Sequence, residues 1–245
     1  MPRLSFFVPV ALAGIGLAFV PGVLKPKDRL PGFPSVMLWS WEHSDDLRFI
    51  DPHSTGLAFL AGSIWLSSEG AEWRPRLAAV QYPPGTPLMA VVRFESPVDS
   101  GLPDRTEVIH HLQRTSELAG VRALQIDFDA RESQRAWYAS LLRDLRAALP
   151  QSMPIVITAL VSWCDRDDWI RDLPVADASP MMFRMGTGVE APPDFLVPLC
   201  KGSVGVSTDE LPTRIPTGRR LFFFHPGRWT PATYQAVMSQ ARRWQ

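Results

Sequence analysis

The sequence predicts an α/β fold, a (β/α)8 TIM-like barrel with an irregular first half, and three observations support this class. The chain has 245 residues, of which 46% are hydrophobic, so its length suits one barrel or two small domains with a large core. Eight apolar segments resemble strands, and the later ones alternate with helical patterns. No Gly-x-Gly-x-x-Gly motif follows the first strand, so the dinucleotide fingerprint of a doubly wound open sheet is absent.

The eight strands are predicted from runs of apolar or strictly alternating residues bounded by Gly, Pro, Asp or Ser. In chain order they cover residues 36–42, 56–65, 87–95, 121–129, 154–160, 179–185, 203–209 and 220–225. Residues 74–84 are too few and too rich in proline for a good helix, which is why the first half of the barrel is expected to be irregular.

Three longer helices are predicted from apolar residues at helical spacing. They cover residues 105–119, 133–149 and 230–244, with Ser133 and Thr230 as the expected N-caps of the last two. A short helix is expected to hold Trp169 and Ile170, and residues 194–200 are expected to form a helical turn.

The fourth predicted strand, residues 121–129, is the segment that points most directly to a site. It alternates without a break, so one face is apolar, with Leu124, Ile126 and Phe128. The opposite face carries Gln125, Asp127 and Asp129 and ends at the beginning of a helix. In a parallel barrel the inward residues at the carboxyl ends of strands stand at the catalytic mouth. The pattern therefore predicts two acids at that mouth.

Paired carboxylates beside aromatic side chains are typical of glycoside chemistry, in which one acid protonates the leaving oxygen. We interpret Asp129 as the proton donor, Asp127 as its partner and Glu42 as a further catalytic candidate. Each also has a structural alternative: Asp127 as a hydrogen-bonding group inside the barrel, Asp129 as a helix cap, and Glu42 as an ion-pair partner. Further polar and aromatic residues near the strand ends are candidates for substrate binding: Gln125, Trp41, Glu95, Trp163, Arg184, Asp209 and His225.

Several classes of function are not supported by the sequence. The formal net charge is +0, which gives no basic face for nucleic acid. There is no Gly-x-Ser-x-Gly motif, no phosphate-binding Gly-x-x-x-x-Gly-Lys loop and no histidine pair at ligand spacing, so no cofactor or metal is expected. Cys164 and Cys200 would pair in an oxidising compartment, but two free buried thiols are the favoured interpretation.

Residues 4–24 are almost wholly apolar, close to the roughly 20 residues that a membrane-spanning helix needs. Residues 11–13, Ala-Leu-Ala, resemble a signal-peptidase site, whereas the apolar run continues to Leu24, which favours an uncleaved anchor. We therefore divide the chain into a signal or anchor and linker at 1–30 and a barrel domain at 31–245. Export is expected, to the periplasm or to the periplasmic face of the inner membrane, with the membrane as a partner if residues 4–24 remain.

Four segments in order resemble a bacterial family known as domain of unknown function 3142. They are Leu-Trp-Ser-Trp-Glu at 38–42, Leu-Gln-Ile-Asp-Phe-Asp-Ala at 124–130, Ile-Thr-Ala-Leu-Val-Ser-Trp-Cys at 157–164 and Pro-Met-Met-Phe-Arg-Met-Gly at 180–186. The resemblance extends over roughly residues 35–245 and implies a barrel grouped with TIM-barrel glycoside hydrolases.

A more distant resemblance is to family 18 chitinases, whose fourth strand ends in Asp-x-x-Asp-x-Asp-x-Glu. Gln125, Asp127 and Asp129 align with the last three motif positions, so an aspartate stands at the acid position and a glutamine replaces an aspartate. The other alignment, Asp-Phe-Asp on Asp-x-Asp, places Arg131 at the acid position.

Two hypotheses follow from the sequence. The first is an exported glycoside hydrolase-like enzyme that acts on a polysaccharide through carboxylates at the barrel mouth. The alternative is a non-catalytic barrel that binds carbohydrate or an envelope protein.

Overall fold

The computed structural model describes residues 29–98, 100–185 and 192–245. The strands in chain order are β1 Val36–Ser40, β2 Asp45–Asp46, β3 Thr55–Ser67, β4 Gly70–Pro75, β5 Val80–Gln81, β6 Leu88–Glu95, β7 Val121–Asp127, β8 Ile155–Leu160, β9 Asp177–Met181, β10 Ser203–Ser207 and β11 Arg220–Phe224. The α-helices are α1 Arg105–Ser116, α2 Arg135–Ala148, α3 Val161–Asp165 and α4 Pro231–Trp244, and short 3₁₀ turns lie at Glu132–Gln134 and Pro198–Lys201.

Eight parallel strands close into a barrel. Their order is β1, β3, β6, β7, β8, β9, β10 and β11, and β1 pairs with both β3 and β11, so the sheet has no free edge among these strands. Each of them falls on one of the eight segments predicted from the sequence, so the prediction of a parallel barrel is confirmed.

Strands outnumber helices, so the fold is a mixed α/β barrel without a regular helix after each strand. The 13-residue β3 runs beyond the barrel and pairs with the antiparallel β4, which takes the place of a crossover helix before β6. Within the described residues, β10 and β11 are joined by turns. In the chain, α1 follows β6, α2 follows β7 and α4 follows β11. Helix α3, which follows β8, is only five residues long.

Some predicted boundaries are wrong, and local hydrogen bonds explain why. Strand β7 ends at Asp127, because the Ala130 N–H turns back to the Phe128 carbonyl at 2.9 Å. Strand β9 ends at Met181, and Arg184, which the sequence placed in this strand, has φ 53°. Ser133 lies within a 3₁₀ turn and does not cap α2.

The helix around Trp169 and Ile170 was also predicted wrongly. The helical residues are those of α3, which ends before them, and the segment that follows consists of turns. In contrast, Thr230 caps α4 as predicted, since its side chain accepts the N–H of Thr233 at 3.1 Å.

The core has two layers, one inside the barrel and one between the barrel and its covering helices. Leu124, Ile126 and Phe128 belong to the outer layer, as the alternation predicts. The inner layer includes Met37, Trp39, Val91, Val156 and Phe222. In strand β1 the side chains of Met37 and Trp39 point inward.

The outward orientation of Ser40 is visible in its contacts. Its hydroxyl donates to the carboxylate of Asp45 in β2 at 2.6 Å and accepts from Arg76, just after β4, at 3.0 Å.

The amino-terminal end of the barrel is closed by residues 29–35. Leu30 and Phe33 join the inner core, and the guanidinium of Arg220, the first residue of β11, donates to the carbonyls of both. Beside them, Asp177 is fully buried and accepts the Ser203 hydroxyl at 2.5 Å. Burial raises the pKa of Asp177 to about 6, since the charged carboxylate loses its hydration.

Cys164 of α3 and Cys200 of the second 3₁₀ turn form a disulfide. The favoured interpretation of two free thiols is therefore wrong, because the chain brings the two Cα atoms to 5.8 Å, a distance that a disulfide spans. Residues 4–24, the predicted signal or anchor, lie outside the described residues. In the part of the chain that the structure describes, no helix has the length and apolar character needed to cross a membrane.

Candidate active site

A cavity of about 840 Å³ opens at the carboxyl ends of the barrel strands. Its walls come from β1, β6, β7, β8, β9 and β11 and the loops that follow them. The lining residues are Trp39, Trp41, Arg93, Asp127, Asp129, Thr158, Leu160, Val161, Ser162, Asp165, Arg166, Met181, Phe183, Arg184, Met185, Pro192 and Phe224. In parallel α/β folds this end of the sheet is where ligands bind, because loops of different strands converge there.

Asp127 and Asp129 are the acids that the sequence placed at the mouth, and both line this cavity. Asp127 is the last residue of β7 and is half-buried, whereas Asp129 lies in the following loop and is the more exposed of the two. The hydroxyl of Thr158, on the neighbouring strand β8, donates to Asp127 Oδ1 at 2.7 Å. This hydrogen bond fixes the orientation of the Asp127 carboxyl group.

The pKa values of both acids are raised from their ordinary value. Burial raises the pKa of Asp127 from 3.8 to about 6, and the negative charges of Asp129 and Glu95 add to the shift. The Thr158 hydrogen bond and the Arg93 charge act in the opposite direction. Burial also raises the pKa of Asp129, with Arg93 again opposing it. Carboxyl groups with raised pKa values in a cavity are able to hold a proton near neutral pH.

Aromatic rings form much of the remaining wall. Trp39 lies at the base, where its indole N–H donates to Gln125 Oε1 at 2.7 Å and its ring stacks on Phe222 at 5.2 Å. Nearer the opening, Phe224 packs edge-on against Trp41 at 6.3 Å and parallel to Phe183 at 6.0 Å. These rings place flat apolar surfaces beside the two acids.

Three arginines also line the cavity, in different environments. Arg93 forms an ion pair with Glu95 at 2.5 Å and lies over the Trp41 ring at 5.9 Å. Arg166 is 3.6 Å from Asp165. Arg184 has φ 53°, the left-handed region, and its backbone N–H donates to Glu210 Oε2 at 2.9 Å. Such a conformation costs about 1–2 kcal/mol in a non-glycine residue, and it recurs at functional sites.

The structure brings four of the residues predicted for the site to the cavity: Asp127, Asp129, Trp41 and Arg184. Gln125 and Glu95 do not line the cavity but contact residues that do. Gln125 accepts the indole N–H of Trp39, and Glu95 forms an ion pair with Arg93. Their placement fits positioning of the lining residues and not direct contact with a ligand.

The other predicted site residues do not line the cavity. Glu42 is exposed, because β1 ends at Ser40 and turns the chain away from the mouth. Trp163 is 2% exposed and packs on Trp169 in the outer core. Asp209 accepts the Ser207 hydroxyl, while His225 bonds to Thr208 at 2.6 Å and packs on Trp229.

Sequence reasoning missed several lining residues, above all Trp39, Thr158, Phe183 and Phe224. Strands β8 and β11 are apolar on both faces, so no alternation distinguishes Thr158 or Phe224 as inward residues. Trp39 was missed for the same reason, since all five residues of β1 are buried.

No group of three or more His, Cys, Asp or Glu side chains suited to a metal ion is present within residues 29–98, 100–185 and 192–245.

Comparison with known proteins gives one match. Residues 84–194 match the model of a family described as Domain of unknown function (DUF3142). This range contains three of the four segments that carried the resemblance and both acids, Asp127 and Asp129. No curated protein and no solved structure matches the chain.

Proposed function

We propose that the chain is a glycoside hydrolase-like enzyme that acts on a polysaccharide at the mouth of its barrel. The observation that carries the proposal is the placement of Asp127 and Asp129 on one wall of an 840 Å³ cavity with aromatic rings beside them. We also interpret the barrel as a (β/α)8 fold with reduced helices, related to TIM-barrel glycoside hydrolases. The strand order and the position of the cavity support this relation.

The electrostatics favour a division of roles between the two acids. Burial raises the pKa of Asp127 to about 6, and the negative charge of Asp129 adds to the shift. We therefore assign the proton-donor role to Asp127 and the role of carboxylate to Asp129, in reverse of the order that the sequence suggested. Asp127 is the more buried of the two acids, and a buried carboxyl group holds a proton more readily than an exposed one. Asp127 would protonate the leaving oxygen, and Asp129 would stabilise positive charge at the anomeric carbon or activate water.

The disulfide supports the further proposal that the chain is exported. Disulfides persist in oxidising compartments such as the periplasm and are rare in the cytosol. Cys164 and Cys200 are both fully buried and paired. Together with the apolar residues 4–24, this favours a periplasmic location, with or without attachment to the inner membrane.

The test is hydrolysis of an array of polysaccharides and oligosaccharides by the full purified chain, with product analysis of each reaction. Asp127→Asn and Asp129→Asn should each lower turnover by about 100-fold or more, since general acid catalysis alone contributes that much. Asp172→Asn is the matched control, because Asp172 is an exposed aspartate that does not line the cavity. Turnover that is equal in all four proteins would refute the proposal, and saccharide binding without products would indicate the non-catalytic alternative.

A further inference from the structure

We infer that the cavity binds an acidic saccharide and that Arg184 is the residue that receives its carboxylate. This inference rests on the proposed glycan site and names the class of its ligand. It starts from the charges of the cavity wall, which contains three arginines and three aspartates. A neutral saccharide would need few of these cations, so each arginine requires an explanation.

Two of the lining arginines already have carboxylate partners. Arg93 is held by Glu95 at 2.5 Å, and Arg166 lies 3.6 Å from Asp165. Arg184 differs, because among the described residues its guanidinium forms no ion pair and no hydrogen bond. The neighbouring acids do not neutralise it by contact. Glu210 accepts the backbone N–H of Arg184 and not its guanidinium. The Asp209 carboxylate accepts the Ser207 hydroxyl, and the Arg184 charge helps to lower the pKa of Asp209 without forming an ion pair with it.

The backbone at Arg184 is held in a costly conformation. It has a positive φ, which no other non-glycine residue has in the described part of the chain. Glycine or asparagine would adopt this conformation more easily than arginine. A long cationic side chain at such a position, with its backbone fixed by Glu210, is the arrangement expected when the guanidinium itself is needed.

The place of Arg184 relative to the acids gives the position of the anionic group. Arg184 follows β9 and Asp127 ends β7. Because β8 lies between them, the two strands are roughly 10 Å apart by the usual strand spacing. A carboxylate beside Asp127 and Asp129 would be repelled by them. A carboxylate beside Arg184 avoids this repulsion and gains a planar, two-point contact.

The aromatic wall then identifies the rest of the ligand. Phe183 directly precedes Arg184 and stacks on Phe224 at 6.0 Å, so an apolar surface adjoins the cation. A uronic acid presents both features, since its ring has an apolar face and its C5 carries a carboxylate. The uronate would therefore occupy a sugar position next to the one whose linkage lies at Asp127 and Asp129.

The test is binding of the full chain to pairs of oligosaccharides that differ only in charge. Oligogalacturonate, oligomannuronate and hyaluronan oligosaccharides are each compared with their methyl esters, in which the same carboxyl group is neutral. We expect at least one acidic member to bind about 10-fold to 100-fold more tightly than its ester, the range of a lost charged hydrogen bond. Equal affinity within every pair, or no binding to any acidic member, would overturn the inference.

Variants at one position make the test specific. Arg184→Gln removes the charge, leaves a shorter polar side chain and keeps the same backbone demand, so it should fold and lose the preference for the acid. Arg184→Lys should keep part of the preference, because it retains the charge without the planar fork. Arg242→Gln, which removes an exposed arginine of α4 outside the cavity, should leave the preference unchanged.

These results are separable from those of the hydrolysis assay. Preference for the acid with no product would support the ligand class and refute catalysis. Cleavage of neutral glycans only, with Arg184→Gln as active as the parent, would support catalysis and refute the ligand class.

Discussion

The disulfide between Cys164 and Cys200 should account for much of the free energy of unfolding of this barrel. The two residues are 36 positions apart, so the bond closes a loop of that length in the unfolded chain. The chain-entropy model for such a loop gives about 4 kcal/mol at 25 °C. A domain commonly has only about 5–15 kcal/mol of total stability, so the loss would be large.

The assay is urea unfolding of the parent protein in its oxidised and reduced forms. Both sulfurs are buried, so reduction should be carried out in denaturant and followed by refolding with the reductant present. An m value of about 3 kcal/mol/M lies at the upper end of the usual range for urea. With this value, the urea midpoint of the reduced protein should be about 1.3 M below that of the oxidised protein. Tryptophan fluorescence and far-UV circular dichroism should give the same midpoint.

The control is the double variant Cys164→Ala with Cys200→Ala. It has no thiols, so its midpoint should be low and should not respond to the reductant. An oxidised parent whose midpoint is also unaffected by the reductant would contradict the reasoning. So would a titration that finds two free thiols in the unreduced, denatured protein.

Three further changes test other parts of the structure. Burial raises the pKa of Asp177 to about 6, so the protonated group contributes fully to stability below about pH 4. This contribution is lost as the pH rises through 6, at a cost of about 3 kcal/mol in the unfolding free energy. Asp177→Asn should remove this pH dependence, as measured by urea titration at several pH values. Gln125→Leu leaves the buried indole N–H of Trp39 without its acceptor and should lower the unfolding free energy by about 1–3 kcal/mol, whereas equal stability would show that the hydrogen bond is unimportant. Gly205→Ala should lower the melting temperature, because its Cβ would lie 2.6 Å from the Trp39 ring inside the barrel, at a cost of about 1–3 kcal/mol for overpacking; an unchanged melting temperature would show that the ring moves freely.

The order of the barrel strands could be predicted because each strand has a local signature and parallel neighbours follow one another in the chain. The alternation in β7 placed Leu124 outside and Gln125 inside, and both positions are confirmed. The antiparallel pairing of β3 with β4 could not be predicted, since the residues of β4 are mostly polar and resemble a loop.

The candidate site was predictable only where one strand face was polar. Asp127 and Asp129 stood out for this reason, and the structure places both at the cavity. Glu42 does not line the cavity because β1 ends at Ser40. Trp39 was missed because a strand that is buried on both faces does not show which residues point inward. The Cys164–Cys200 pair required knowledge of the fold, since spacing alone does not bring two cysteines together.

The closure of the amino-terminal end by Leu30 and Phe33 has a geometric consequence for access to the cavity. The described chain begins at the pole of the barrel where Arg220 binds these residues, and the cavity opens at the other pole. A protein fastened by the segment before residue 29 would thus point its opening away from the point of attachment. Long polymers could approach such an opening from the surrounding medium without first passing between the protein and whatever it is fixed to.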